Sequence, residues 1–119
     1  MSKHILVVDD EPGVLRFVKT NLSLSGFQVT TSMSGEEALQ IAETQNPDII
    51  LLDILMTPMT GFDVLMKLRE FSMVPVIVFT ARNDIANLAR REGANDFIAK
   101  PFKPEELLRK INELLPSPA

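Results

Sequence analysis

The stretch Asp48-Ile49-Ile50-Leu51-Leu52-Asp53 decides the fold, because four consecutive apolar residues stand between two acids. The run is too short for the core of a helix, and it is typical of a strand that is buried on both faces. Such a strand belongs in the middle of a parallel sheet. It ends at Asp53, at the end of the strand where open α/β sheets bind their ligands. An isolated acid in this place would simply begin a turn, so the function of Asp53 depends on its neighbours.

The composition describes a single small domain. The chain has 119 residues and a net charge of −4, which does not suit a domain that binds nucleic acid by electrostatics alone. It has no cysteine, which excludes disulfides, thiolate zinc sites and cysteine nucleophiles. Its apolar runs are too short to span a membrane and its start is no signal peptide, so we expect a cytoplasmic protein. We predict one domain over 1–119, with its core at about 4–115 and a tail or linker at 116–119.

Four further stretches have strand patterns. Residues 5–8 and 74–79 are apolar and predict buried strands, with Pro75 tolerable at the start of its strand. Residues 27–32 alternate between apolar and polar, and residues 96–99 form a weaker run, so both predict edge strands. Helical patterns follow the strands and begin near Pro12, Ser34, Gly61, Asp84 and Pro104.

Individual residues mark the ends of these helices. Pro12 suits a first helical turn, where its missing N–H costs nothing, and Gly26 suits the end of that helix. Ser34 and Glu37 have the spacing of a capping box, and the short fourth helix is expected to run from about Asp84 to Glu92.

The alternation of strands and helices predicts the architecture. Right-handed crossovers place helices on both faces of a single doubly wound parallel sheet. Five strands with the weaker two at the edges suit the flavodoxin-like order 2-1-3-4-5. The expected fold class is therefore α/β, with strands one and three as neighbours at the centre.

This order brings polar side chains together at one edge of the sheet. Asp9 and Asp10 follow the first strand and Asp53 ends the third, so the three acids are expected in one crevice. Thr80 and Lys100, at the ends of strands four and five, line the same rim.

The chemistry of this set indicates phosphoryl acceptance. Two negative charges about 4 Å apart repel by about 4 kcal/mol at an effective dielectric near 20, so the acids must take up protons or hold a hard cation such as Mg²⁺. A carboxylate nucleophile, a divalent ion, a lysine and a hydroxyl together can accept a phosphoryl group. The alternative is a structural acid cluster that Lys100 neutralises.

The chain resembles the response-regulator receiver domains of two-component signalling, from about His4 to Leu115. The matching motifs, in the order of that family, are Val7-Val8-Asp9-Asp10-Glu11, Leu52-Asp53, Gly61-Phe62, Thr80-Ala81 and Lys100-Pro101-Phe102.

The resemblance implies a phosphorylation-switched signalling module rather than an enzyme. Asp53 would accept the phosphoryl group from a partner histidine kinase or phosphotransfer protein, and the domain would assist its own Mg²⁺-dependent phosphorylation and dephosphorylation. Asp10 would bind Mg²⁺ directly and Asp9 largely through water, while the backbone carbonyl of Leu55 would complete the protein ligands.

The resemblance also implies a route to the output. Thr80, the Ala81 amide and Lys100 would hold the phosphoryl oxygens, and Phe97 would be the switch aromatic whose rotamer follows the threonine. The surface of the fourth helix, fifth strand and fifth helix would then bind a second copy or an output partner. Neither membrane binding nor direct nucleic-acid binding by this domain is implied.

Two features depart from the family pattern. Thr57 stands where receivers usually have proline, with Pro58 after it, and the segment from Thr80 to Lys100 is about two residues short.

The Lys100-Pro101 bond is expected to be cis, because the lysine must point into the crevice while the chain turns away.

Two other function classes fit less well. An aspartate-nucleophile phosphatase would carry a second acid where Leu55 stands. A receiver-like scaffold that works without phosphorylation would have lost an acid or the lysine, and this chain retains all of them.

Overall fold

Each strand of the chain is followed by a helix, as the sequence predicts. The structure, a computed structural model, describes residues 2–81 and 86–115. The strands are β1 (His4–Val8), β2 (Gln28–Ser32), β3 (Ile49–Asp53), β4 (Val76–Thr80) and β5 (Asp96–Ala99). The helices are α1 (Pro12–Leu24), α2 (Gly35–Gln45), α3 (Gly61–Leu68), α4 (Ala86–Arg91) and α5 (Pro104–Leu114). Within the described ranges, no helix has both the length and the apolar composition that crossing a bilayer requires.

The five strands form one parallel sheet in the order β2-β1-β3-β4-β5. The predicted flavodoxin-like order is therefore confirmed. Strand β3 lies at the centre and all five of its residues are buried, as its apolar run predicted. The edge strands β2 and β5 are mostly half-buried, as their weaker patterns predicted.

Alternate residues of the central strands enter two separate cores, one on each face of the sheet. Helices α2, α3 and α4 cover one face, where Leu6, Leu52 and Val78 are buried. Helices α1 and α5 cover the other face, where Val7, Leu51 and Phe79 are buried. A strand with side chains in both cores buries every one of them, so a polar side chain is accommodated only at the strand end.

Two helix starts are as the sequence indicates and one is only partly so. Pro12 and Pro104 occupy the first turns of α1 and α5. Ser34 caps α2 by accepting from the Glu37 N–H at 3.2 Å. Among the described hydrogen bonds, however, the Ser34 N–H donates to Ser32 Oγ at 3.3 Å rather than to the Glu37 side chain, so the predicted capping box is half formed.

The complete capping box lies at α3 instead. Thr60 accepts from the Asp63 N–H, and the Asp63 carboxylate accepts from the Thr60 N–H at 3.1 Å. The Thr-x-x-Asp spacing signals this motif as clearly as the Ser34 spacing does. This capping box fixes the start of α3.

Several element bounds differ from the prediction. Strand β4 begins at Val76 rather than at residue 74, because Pro75 has no N–H to donate and contributes only its carbonyl, which accepts from the Ile50 N–H at 3.0 Å. Helix α4 ends at Arg91, one residue before the predicted Glu92, and Gly93 follows with φ +111. The expected start of α4 at Asp84 and the expected tail at 116–119 lie outside the described residues.

Candidate functional site

The candidate site lies where the central strands end. Strands β1 and β3 pair in parallel with Val8 opposite Leu52, so the next residues, Asp9 and Asp53, emerge side by side. Asp53 in turn pairs with Phe79 of β4. Because parallel strands carry their carboxyl ends to the same edge, polar residues from several strands meet there.

Three carboxylates converge at this edge. Asp9, Asp10 and Asp53 each offer an oxygen, and these oxygens lie within 4.8 Å of one another. Asp9 is fully buried and Asp53 is 3% exposed, while Asp10 is half-buried. The structure thus brings together the three acids that the strand order placed in one crevice.

Lys100 supplies the positive charge among them. Its Nζ lies 2.8 Å from Asp9 Oδ2 and 3.6 Å from Asp53 Oδ2. Glu11, at the exposed rim, brings a further carboxylate 3.8 Å from the same nitrogen. Burial alone would lower the pKa of Lys100, but its bond to Asp9 and the charges of Asp53, Asp9 and Glu11 raise that pKa above its usual value. The lysine is therefore a permanent cation that the acids share.

One lysine does not compensate for all three acids. Burial raises the pKa of Asp53 from 3.8 to about 6, and the charges of Asp9 and Asp10 act in the same direction. The Leu55 N–H and Lys100 oppose the rise without cancelling it. A carboxylate whose pKa lies this high is short of positive charge, and a divalent cation would supply it.

Backbone N–H groups hold the carboxylates in place. The Leu55 N–H donates to Asp53 Oδ1 at 3.1 Å, and the Glu11 N–H donates to Asp9 Oδ1 at 2.9 Å. Each bond engages one oxygen of its carboxylate. Oxygen ligands without nitrogen or sulfur suit Mg²⁺, so the residues present fit that ion.

Gly61 is a residue whose purpose the sequence did not show. Its N–H donates to the Ile54 carbonyl at 3.0 Å, so the start of α3 lies directly on the backbone that follows Asp53. A Cβ added at Gly61 would lie 2.6 Å from Ile54 Cα and would also collide with the Asp53 carbonyl oxygen. Only glycine permits this approach.

The other predicted residues lie around the same rim or one strand away. Thr80 is buried at the end of β4, and its carbonyl accepts from the Lys100 N–H at 2.8 Å. Ala81 and Leu55 are exposed. Phe97 is half-buried in β5, opposite Val78.

Two X-Pro bonds near the site are cis. The Lys100-Pro101 bond is cis, which confirms the prediction, and the lysine does turn back toward the acids. The Thr57-Pro58 bond is also cis, which the sequence analysis did not predict.

Comparison with known proteins identifies the family of the chain. Residues 5–112 match the response regulator receiver domain family. The ycf27 protein of Cyanophora paradoxa is 42% identical over 116 residues, which cover 96% of this chain and 48% of that protein. The alkaline phosphatase synthesis transcriptional regulatory protein PhoP of Bacillus subtilis is 39% identical over 118 residues, which cover 97% of this chain and 49% of that protein. The chain therefore spans about half the length of these curated relatives.

A solved structure shows the same fold. The chemotaxis response regulator CheY4 of Vibrio cholerae superposes with a TM-score of 0.89 at 30% identity. The match covers 97% of this chain and 100% of that one.

Gly61→Ala is expected to destabilise the protein, because neither the Asp53 nor the Ile54 backbone can give way to the new methyl group. We expect the free energy of unfolding to fall by about 1–3 kcal/mol, as for other overpacked sites. Urea denaturation followed by far-UV circular dichroism measures it, since the chain has no Trp or Tyr.

Gly13→Ala is the matched control, because a Cβ at that helical glycine meets nothing within 4 Å. Its stability should stay unchanged or rise by up to about 1 kcal/mol. Equal stability of wild type and Gly61→Ala would contradict the close approach.

Proposed function

The chain belongs to the response regulator receiver domain family, and from that premise we propose that it accepts a phosphoryl group on Asp53 from a partner histidine kinase. Receiver domains of this family are signalling domains of two-component response regulators. The observation that supports Asp53 most strongly is its buried carboxylate, enclosed by two further acids and one lysine.

Asp53 is the nucleophile because of how its two oxygens are held. The Leu55 N–H binds Oδ1, while Oδ2 faces Lys100 across 3.6 Å. One carboxylate oxygen forms the new bond to phosphorus as the bond between phosphorus and the donor's imidazole breaks, and the imidazole leaves with the electron pair and takes up a proton. Asp9 is less available as a nucleophile, because its Oδ1 accepts from the Glu11 N–H at 2.9 Å and its Oδ2 accepts from Lys100 Nζ at 2.8 Å.

Mg²⁺ would be held by Asp9, Asp10, Asp53 and the Leu55 carbonyl, with Asp9 acting largely through water. When bound, the ion neutralises the carboxylates and the phosphoryl oxygens, which otherwise repel one another.

Three groups of the chain would bind the phosphoryl oxygens. The Lys100 ammonium lies close enough to Asp53 to pair with an oxygen of the transferred group. The Thr80 hydroxyl and the Ala81 amide come from the end of the neighbouring strand β4. The same groups would assist hydrolysis of the acyl phosphate, so the domain would also reset itself.

A groove beside Lys100 supports the approach of a protein donor. It lies between the start of α1 and the loop after β5, and it is lined by Glu11, Val14, Phe17, Ala81, Lys100 and Phe102. Phe17 is 45% exposed there. An apolar wall next to the phosphoacceptor suits a helix that carries a phosphohistidine. We propose that this phosphoryl transfer takes place in the cytoplasm.

We propose that the output surface is formed by α4, β5 and α5, which ion pairs join into one unit. Asp96 of β5 accepts from Arg90 of α4 at 3.2 Å and from Lys110 of α5 at 3.4 Å. The Phe97 N–H donates to the same carboxylate at 2.7 Å. Asp96 therefore links β5 to both helices, on the surface where a second copy or an output partner would bind.

Transcription is the output that the relatives favour, since PhoP is named a transcriptional regulatory protein. In that case the domain itself would bind no nucleic acid, in keeping with its net charge of −4. An output other than transcription is the alternative, because CheY4 is named a chemotaxis response regulator.

Mg²⁺ and a small acyl-phosphate donor are expected to phosphorylate Asp53 without a kinase, because the groups that stabilise the transferred phosphoryl lie on this chain. Intact mass should rise by one phosphoryl group. Asp53→Asn should abolish the gain, and Asp48→Asn, at the other end of β3, should keep it. A gain that survives in Asp53→Asn would rule out this acceptor.

Thr80→Ala is expected to uncouple phosphorylation from the output surface while leaving Mg²⁺ binding nearly intact. The acyl phosphate adds acceptor oxygens beside Thr80, and the hydroxyl moves toward them. Phe97, one strand away, then rotates inward, and the shift is only as large as this differential contact allows.

Amide shifts at Arg90 and Lys103 on adding beryllofluoride, a phosphoryl mimic, measure the coupling. They should be present in wild type, retained in Thr80→Ser and lost in Thr80→Ala. Undiminished shifts in Thr80→Ala would show that the coupling takes another route.

A further inference from the structure

Phe79 contacts the Lys100 ammonium through the face of its ring. The Lys100 Nζ lies over the face of its ring, 5.1 Å from the ring centroid. A cation within about 6 Å of an aromatic centroid is attracted by the negative face of the ring. Phe79 is fully buried, so little solvent screens this attraction.

Neighbouring side chains restrict the orientation of the Phe79 ring. Phe79 pairs with Asp53 across the sheet and belongs to the core on the α1 and α5 face. Phe102 packs against it edge to face, with centroids 5.8 Å apart, and Phe17 lies 6.4 Å from Phe102. The contact with Phe102 restricts the orientation of the Phe79 ring, whose face lies against the Lys100 ammonium.

The Phe79 ring differs from the carboxylates in that it attracts Lys100 without being a possible metal ligand. The ammonium has three N–H donors, and within the described part of the chain its shortest contact with an acid is to Asp9, at 2.8 Å. Asp9 belongs to the acids that would hold a cation, so that contact competes with metal binding. The aromatic face attracts the ammonium without contributing a ligand oxygen.

We propose that Phe79 is a positioning residue for Lys100, which keeps the ammonium beside Asp53 once Asp9 is engaged elsewhere. The inference deepens the proposed function and rests on it for the effect on phosphoryl transfer. An aliphatic residue in the same place would fill the core but would leave the ammonium free to follow Asp9.

Fluorinated phenylalanines at position 79 separate the two roles. Ring fluorines withdraw electron density from the face and change the shape little, so packing is retained while the cation attraction is lost. We expect the rate constant for phosphorylation by a small acyl-phosphate donor to fall stepwise with one, two and three fluorines. The total fall should be about 2–30-fold, the range that corresponds to cation–π free energies.

Phe27 is the control position, because it packs partly buried against the same core and precedes β2, at the far end of the sheet. Trifluorophenylalanine at Phe27 should leave the rate constant unchanged. A rate constant that ignores fluorination at Phe79, or falls equally for both positions, would overturn the proposal.

A second readout does not depend on phosphorylation. Protons above a ring face resonate upfield, so the Lys100 ε-CH₂ signals should lie upfield of those of the other lysines and move back in Phe79→Leu. Unshifted Lys100 signals in wild type would also overturn the proposal. If wild type takes up no phosphoryl group, the proposed function fails and these signals still decide whether the ring positions Lys100.

Discussion

The structure depends on the repulsion between buried carboxylates at the end of the central strands. Two such charges about 4 Å apart repel by about 4 kcal/mol even at an effective dielectric near 20. Asp9 and Asp53 are almost completely buried, and Lys100 is shared between them. The fold maintains this unfavourable arrangement with an apolar core on each face of the sheet, and the proposed cation would supply the positive charge that the three acids lack.

The sequence predicts the architecture because its signals are local and strong. The apolar run at β3 can be buried on both faces only in the middle of a sheet, and the alternating run at β2 suits only an edge. Once the strand order is known, the residues at the carboxyl ends of the strands are expected at one edge of the sheet, because the strands are parallel. Asp9, Asp53 and Lys100 are brought together by that rule, and the cis bond at Lys100-Pro101 follows from the turn that the lysine requires.

What the sequence does not show depends on register and on side-chain packing across the sheet. The aromatic character of Phe79 matters only because it lies opposite Asp53, under a lysine that is distant along the chain. In the sequence Gly61 indicates only the start of a helix. Its close approach to the backbone of Asp53 is visible only in the structure. The spacing predicts a capping box at Ser34 but does not reveal that the Ser34 N–H donates to Ser32 Oγ. The complete capping box forms at Thr60, where Asp63 stands three residues later.

Calorimetric titration of Mg²⁺, at pH 6 and pH 8 in buffers of different ionisation enthalpy, tests most directly whether these acids are kept for a cation. The raised pKa of Asp53 means that its carboxyl is about half protonated near pH 6 and ionised at pH 8. We expect one ion per chain, with release of about half a proton at pH 6 and almost none at pH 8. Binding without proton release at pH 6, or no binding at either pH, would contradict the account.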